Sequence, residues 1–526
     1  MNRRITISIV LLFLVFFGLS VRVALISVDD TVKTVGNHQG AKTLLVTEAR
    51  GTIYDRHRTP LVNDTNVYYA SILPQIELAQ RLEGNTSPSE YNRLLNAVHD
   101  GIPARALLNG PTTITTGLQL YIAPKRYAPQ CLAPHLIGYL NGEKTSGTAG
   151  IERAYDDLLK QFSGQITVTY PTDGSGRYRA DAEIRVSDTI KQCQGGIVLT
   201  IDRGIQEKIE NIATSHITKG AIVVLDAENG DVLASGSYPT FHPESTANIA
   251  EGALINRALS LFDCGSVFKI VTTLAALEKG VSVDQIYECS GAITVNGTTF
   301  HCHHRLGHQM LDMETAFAQS CNVYFIQLAQ HIGASSLLNM ARQLGLCEEI
   351  EIAETLYAPA SVLPTAADLS ADAALANLSF GQGKLLITPM HIARMTAVIA
   401  GDGTLFDTSA VLGAIDAQGR WIESRARGGE TVISASSVAS VRRMMEQVVT
   451  EGTGSAARSN TVSVAGKTGT AETGQLNNGK AVTHSWFTGY FPAENPQYVV
   501  TVLIEDMTLS DKNAAEVFCE ISNNLI

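Results

Sequence analysis

The hydrophobic pattern along the chain changes character three times. Residues 5–21 form an uncharged, apolar run, and after Arg22 the apolar character resumes over 23–26. At helical rise this is long enough to cross a bilayer. Arg3 and Arg4 precede the run, which predicts that the short N-terminal side stays cytoplasmic and the bulk lies outside. The run is long for a cleaved signal peptide, and no small-x-small cleavage site follows before Asp29 and Asp30. The reading is a single-pass anchor over residues 1–28. Up to about residue 194 come short alternating runs (67–73, 165–170) and an amphipathic one (89–98), predicting strands and a helix in an irregular α+β region. From 195 the pattern sharpens into a strand at 196–202 and a helix at 203–217. Two strand-like runs (220–225 and 231–237) follow, joined by a turn carrying Asn229 and Gly230. An Ala- and Leu-rich helical region fills the middle. Strands are predicted again at 462–464, 485–490 and 498–504, with a terminal helix at 514–521. Strands at both ends with helices between predict one sheet built from distant segments.

At 526 residues, 45% of them hydrophobic, the chain has material for two or three domains. A formal charge of −12 without a basic block argues against nucleic acid as a partner. The eight cysteines are scattered, unlike a disulfide-dense framework. Cys289 and Cys302 bracket a predicted hairpin with an Asn296-Gly297 turn, which leaves a structural bond between them open.

Three short segments carry chemistry: Ser266-Val267-Phe268-Lys269, Ser320-Cys321-Asn322 and Lys467-Thr468-Gly469-Thr470. Ser266 opens a helical run, where free N–H groups and the helix dipole favour developing negative charge. Lys269 lies three residues on, on the same helical face; burial lowers an ammonium's pKa and makes the amine a base for the serine proton. The simpler reading, an N-cap serine before an exposed lysine, fits poorly with apolar neighbours on that helix. Ser320 can pass a proton, and the Asn322 amide can hold a substrate amide. Lys467, Thr468 and Thr470 on a strand suit a carboxylate, with Gly469 leaving room for a substrate backbone. The strand is expected to put Lys467 and the hydroxyls on one side. A Walker-type phosphate loop is excluded, because Gly-x-x-x-x-Gly does not precede Lys467.

S-x-x-K, S-x-N and K-T-G in this order resemble the penicillin-binding proteins and serine β-lactamases. Other segments narrow the resemblance to monofunctional class B transpeptidases: Arg50 to Arg56 and Gly150, Ile151 and Glu152 resemble motifs of their non-catalytic pedestal. Asp226, Gly230 and Asp231, Gly381 to Gly383, and Trp486 to Tyr490 resemble their transpeptidase domain. The resemblance implies an α+β multidomain fold: anchor (1–28), pedestal of dimerisation-domain type (29–194) and a serine β-lactamase-like transpeptidase domain (195–526), an antiparallel sheet flanked by helices. It implies acyl transfer from a D-Ala-D-Ala stem peptide through an acyl-serine, with the same serine acylated by β-lactams. Ser266 is then the nucleophile, Lys269 its base and Ser320 a proton shuttle. Asn322 binds the donor amide, while Lys467, Thr468 and Thr470 bind the carboxylate beside Gly469. The backbone N–H groups of Ser266 and Thr470 form the oxyanion hole. No metal or organic cofactor is implied. The implied partner is a polytopic glycan polymerase with other wall-synthesis membrane proteins, within the cell-shape and division machinery. The competing readings are a β-lactamase or D,D-carboxypeptidase, in which water resolves the acyl-enzyme, and a non-catalytic β-lactam sensor or division scaffold. Two positions depart from the family pattern: Cys264 stands where proline is usual, and Arg58 where glycine is usual. His301, Cys302, His303, His304 and His308 have spacing that suits zinc, but the resemblance reads them as a loop without metal.

Overall fold

The computed structural model describes residues 3–28, 40–173, 175–180, 183–246, 249–477 and 479–526. A helix at Arg3–Val28 opens the chain; its segment Ile5–Leu25 has a mean hydropathy of 2.5 and exposed side chains, long and apolar enough to cross a membrane. Two compact units follow from the fold. The first gathers residues 1–50, 64–126 and 163–193, the second 51–63, 127–162 and 194–526. The expected single boundary near 195 therefore takes an interleaved form. The strand Thr52–Tyr54 pairs in parallel with Gly196–Leu199, and Gly51 donates to Leu159 O, so both early segments are bonded into the second unit.

In the first unit, Ala41–Ala49, Gly164–Pro171 and Arg185–Asp188 form one antiparallel sheet; Ala104–Leu108, Thr65–Ile72 and Leu118–Lys125 form another. The amphipathic run becomes the helix Pro88–His99. Ser87 caps it by accepting from Glu90 N–H, and Pro88 takes the first helical position, where a missing N–H costs nothing. Its buried Leu94 packs with Ala70, Ile72, Ile166 and Val168.

In the second unit the elements used below are, in chain order, α1 (Arg203–His216), β1 (Gly220–Asp226), β2 (Val232–Tyr238), α2 (Lys269–Glu278), α3 (Asn322–Ile332), α4 (Pro389–Ala400), α5 (Ala435–Thr450), β3 (Ala465–Asn477), β4 (Lys480–Phe491), β5 (Tyr498–Ile504) and α6 (Ala514–Leu525). The five strands make one antiparallel sheet in the order β2-β1-β5-β4-β3, which joins distant chain segments as expected. Alternation sorts its side chains. Ala221, Val223 and Leu225 join the core that contains α2, α3 and α4, whereas Ile222 and Val224 pack with Ile209 of α1 and Phe518 of α6. The terminal helix is fixed by a reciprocal cap between Asn513 and Glu516.

The predicted strand at 462–464 is displaced. Val462 N–H is held by Ser459 Oγ, and Ser463 Oγ accepts from Ala493 N–H, so regular pairing begins only at Ala465. Arg58 has φ +65°, a left-handed conformation that explains why glycine is usual there. Its guanidinium donates to Gly419 O at 3.1 Å and stacks over Trp421, contacts that glycine cannot make.

Candidate active site

Ser266 lies in a short 3-10 turn, Gly265–Phe268, that runs directly into α2. The turn is possible because Gly265 has φ +55° and a Cβ there would come within 2.3 Å of Thr470 O. Gly381, at φ +83°, backs the same spot: Gly265 N–H donates to Gly381 O at 3.1 Å, and a Cβ on Gly381 would sit 1.9 Å from Gly265 O. On the strand side, a Cβ on Gly469 would meet Val267 Cγ2 at 2.8 Å and Cys264 O at 2.9 Å. Edge strand β3 thus lies in backbone contact with the serine turn; Gly265 and Gly469 permit that approach, and Gly381 backs the turn from the other side. Ser266 itself is half-buried. Cys264, in place of proline, is fully buried.

Lys269 is fully buried one helical turn after Ser266. Its Nζ donates to Ser320 O at 2.6 Å, Ser320 Oγ at 3.1 Å and Asn322 Oδ1 at 2.7 Å, and lies 5.4 Å from the centre of the Phe325 ring. Desolvation pulls its pKa down to about 7, with the nearby sulfurs of Cys321 and Cys302 opposing the shift. Lys467 is also fully buried, and its Nζ donates to Ser320 Oγ at 3.1 Å and Thr468 O at 3.0 Å. Burial first, then the charge of Lys269, push Lys467 well below an ordinary lysine. Ser320 Oγ therefore bridges two amines. One hydroxyl can accept from a charged ammonium while donating to a neutral amine, so the trio is wired to pass a proton.

Ser320 reaches this position because the helix Met313–Ala318 ends there. Ser320 adopts φ +51°, its N–H donates to Phe317 O, and Cys321 N–H donates to Ala316 O before α3 begins. Asn322 is the first residue of α3, and its Nδ2 donates to His301 O at 3.3 Å.

Of the expected site residues, Lys269, Ser320, Asn322 and Lys467 are in direct contact. Thr468 joins through its carbonyl, and Gly469 and Thr470 line the serine turn by backbone contact. One expectation fails. Lys467, Gly469 and Ala471 are buried on one face of β3, while Thr468 and Thr470 are more exposed on the other. The pleat separates the lysine from the hydroxyls, and the Lys467 amine bends back to the main-chain carbonyl of Thr468 rather than to its hydroxyl. A residue not singled out from the sequence, Thr453, faces Thr468 with hydroxyl oxygens 2.7 Å apart. It lies in a turn after α5 with no motif to mark it.

The cysteine expectations also change. Cys289 and Cys302 are free thiols, and both sulfurs face His308 Nδ1, at 3.6 and 3.5 Å. Within the run 301–308, only Cys302 and His308 are among the residues whose ligand atoms converge, and their companions are Cys289 and Cys321.

Residues 220–523 match the penicillin binding protein transpeptidase domain family. Penicillin-binding protein PbpB of Mycolicibacterium smegmatis is 29% identical over 430 residues, covering 76% of this chain and 64% of that protein. Peptidoglycan D,D-transpeptidase MrdA of Acinetobacter baumannii is 25% identical, over 87% of this chain and 77% of that one. The chain spans 58 to 64% of the length of the first relatives it matches. The crystal structure of the D,D-transpeptidase domain of a peptidoglycan glycosyltransferase from Eggerthella lenta superposes with a TM-score of 0.63 at 26% identity, covering 90% of this chain and 96% of that one.

Proposed function

We propose, from the premise that this chain belongs to the penicillin-binding protein transpeptidase family, that it is a peptidoglycan D,D-transpeptidase working through an acyl-serine on Ser266. The single observation that carries the reading is the fully buried Lys269 amine. It is held between Ser320 and Asn322 one turn from Ser266, with its pKa lowered to about 7.

A donor stem peptide lies along β3 with its terminal carboxylate towards Lys467, Thr468 and Thr470. The arriving negative charge raises the affinity of the Lys467 amine for its proton. Ser266 Oγ attacks the carbonyl carbon of the penultimate D-alanine, and its proton passes to the neutral amine of Lys269. The backbone N–H groups of Ser266 and Thr470 hold the oxyanion. As the C–N bond breaks, the leaving D-alanine amine takes a proton delivered through Ser320 Oγ, and the ester on Ser266 remains. The amine of a second stem peptide attacks this ester, gives up its proton to the lysine–serine relay, and leaves as the cross-linked amide while Ser266 Oγ is reprotonated. Asn322 orients the donor amide; its own amide already spans Lys269 Nζ and His301 O, which fixes its plane. A β-lactam presents the same carbonyl and carboxylate and acylates Ser266.

The apolar helix anchors the protein in the membrane, with Arg3 and Arg4 favouring a cytoplasmic N-terminus and a wall-facing bulk. A polytopic glycan polymerase, which makes the strands to be cross-linked, is the partner this reading requires. The test is purified full-length protein with labelled penicillin: a persistent adduct that is lost in Ser266→Ala supports a transpeptidase, and rapid turnover to penicilloate supports a hydrolase.

A further inference from the structure

Beside the catalytic relay, four side chains from four different local structures point at one spot. The sulfurs of Cys289, Cys302 and Cys321 and a ring nitrogen of His308 all lie within 4.8 Å of one another. Cys289 ends the strand Tyr287–Cys289, whose pairing with Gln309–Leu311 brings His308 alongside. Cys302 directly follows the hairpin Ala292–Val295 and Thr298–His301, tied back by its N–H to Gly291 O. Cys321 caps α3. The loop is drawn tight: Gly291 and Gly307 both have positive φ, and a Cβ at either would come within 2.2 Å of a backbone oxygen. All three cysteines are fully buried, and none is bonded to another.

The spacings match the edges of a metal tetrahedron. With Zn–S of about 2.3 Å and Zn–N of about 2.05 Å, tetrahedral geometry requires S···S of about 3.8 Å and S···N of about 3.6 Å. The structure has Cys302 Sγ to Cys321 Sγ at 3.9 Å, Cys289 Sγ to His308 Nδ1 at 3.6 Å, and Cys302 Sγ to His308 Nδ1 at 3.5 Å. A disulfide needs about 2.05 Å, far shorter than the sulfur separation here. Three thiolates and an imidazole are soft donors in a closed set of four, the composition of structural zinc sites rather than of calcium or magnesium sites.

We propose that Cys289, Cys302, Cys321 and His308 bind one zinc ion that pins the Ser320–Asn322 turn to the 289–308 hairpin loop. On binding, the three thiols ligate as thiolates and release their protons to solvent, while His308 ligates as neutral imidazole through Nδ1. Cys321 lies between the two residues that hold the Lys269 amine, and Ser320 keeps an uncommon left-handed conformation. Metal ligation at Cys321 holds that strained turn in place. The hairpin is already joined to the same turn by Asn322 Nδ2 donating to His301 O. Zinc is thus a positioning element for the relay and takes no part in the acyl chemistry. It departs from the expectation of no metal, which followed from the family resemblance and took in only residues 301–308, without Cys289 and Cys321.

The test uses full-length protein in detergent, purified anaerobically without chelator or added metal. Metal analysis is expected to find about one zinc per chain, lost in Cys302→Ser and in His308→Ala. Because a variant can fail to fold, the wild-type protein is also stripped with a chelator and titrated with cobalt(II). The expected spectrum has sulfur-to-cobalt charge-transfer absorption in the near ultraviolet and strong tetrahedral bands in the visible. Stripping is expected to slow penicillin acylation about tenfold or more, with recovery on adding zinc; a loss of about 10- to 100-fold is typical when a metal's supporting shell is broken. Wild-type protein with all its thiols free that takes up neither zinc nor cobalt overturns the proposal. So does an isolated protein carrying a Cys302–Cys321 disulfide. Metal uptake is read without reference to acylation, so it stands or falls separately from the transpeptidase assignment.

Discussion

If neutral Lys269 is the base for Ser266, acylation must titrate with that amine. Lys269 is fully buried and its pKa is drawn from 10.5 to about 7, chiefly by desolvation. The neutral fraction is then about 90% near pH 8 and about 3% near pH 5.5, so the acylation rate is expected to rise about thirtyfold across that interval, with a midpoint near 7. The sign follows from the group: lowering the pH charges the amine and removes the acceptor for the serine proton. The assay is the second-order rate of acylation by a fluorescent penicillin with no group titrating in this range, measured on protein shown to stay folded throughout. Lys269→Arg, whose guanidinium stays charged, is expected to abolish the profile and lower the rate by about 10²–10⁴. A flat profile, a midpoint near 10.5, or a rate that falls as pH rises would refute the assignment.

The same shift is a stability statement. A lysine depressed in the folded state binds fewer protons there than in the unfolded chain, so stability rises with pH between about 7 and 10.5. Relative to Lys269→Met, wild-type protein is expected to gain about 2 kcal/mol in denaturant unfolding between pH 7 and pH 9; no change in the gap would count against a buried, neutralised amine. Lys467→Met is expected to lower kcat/KM for a carboxylate-bearing donor by about 10- to 100-fold beyond its effect on an esterified donor, the worth of a charge-assisted hydrogen bond, the esterified donor reporting the loss of the relay alone. Gly381→Ala forces a Cβ onto Gly265 O, so melting is expected to show a loss of about 2 kcal/mol or more. Penicillin labelling of the surviving folded protein should fall with it.

Much of this was legible in the sequence because it is local. Helix α1 is announced by its spacing; the hairpin of β1 and β2 by Asn229 and Gly230; and α2 by the apolar positions after Ser266. The placement of Lys269 one turn after Ser266 was legible too. What escaped depends on distant partners. The displacement of β3 to Ala465 is decided in part by Ala493, whose N–H bonds Ser463 Oγ from 30 residues away, outside any window around Val462. The strand pleat, applied strictly, would have parted Lys467 from Thr468 and Thr470. The interleaving of the two units rests in part on a three-residue strand, Thr52–Tyr54, too short to announce a partner at Gly196. The thiol cluster is the plainest case: Cys289 and Cys321 lie 13 and 19 residues from Cys302 and meet it only through the hairpin fold and the cap of α3.

The central claim is that Ser266 carries an acyl group that an amine, rather than water, resolves. The most direct measurement supplies full-length protein with a D-Ala-D-Ala stem-peptide donor and an acceptor amine, and follows the adduct and products by mass spectrometry. The account predicts a transient peptidyl ester on Ser266, absent from Ser266→Ala, with cross-linked amide exceeding free acid when the acceptor is present. An ester on another residue, no ester at all, or free acid as the sole product regardless of acceptor would contradict it.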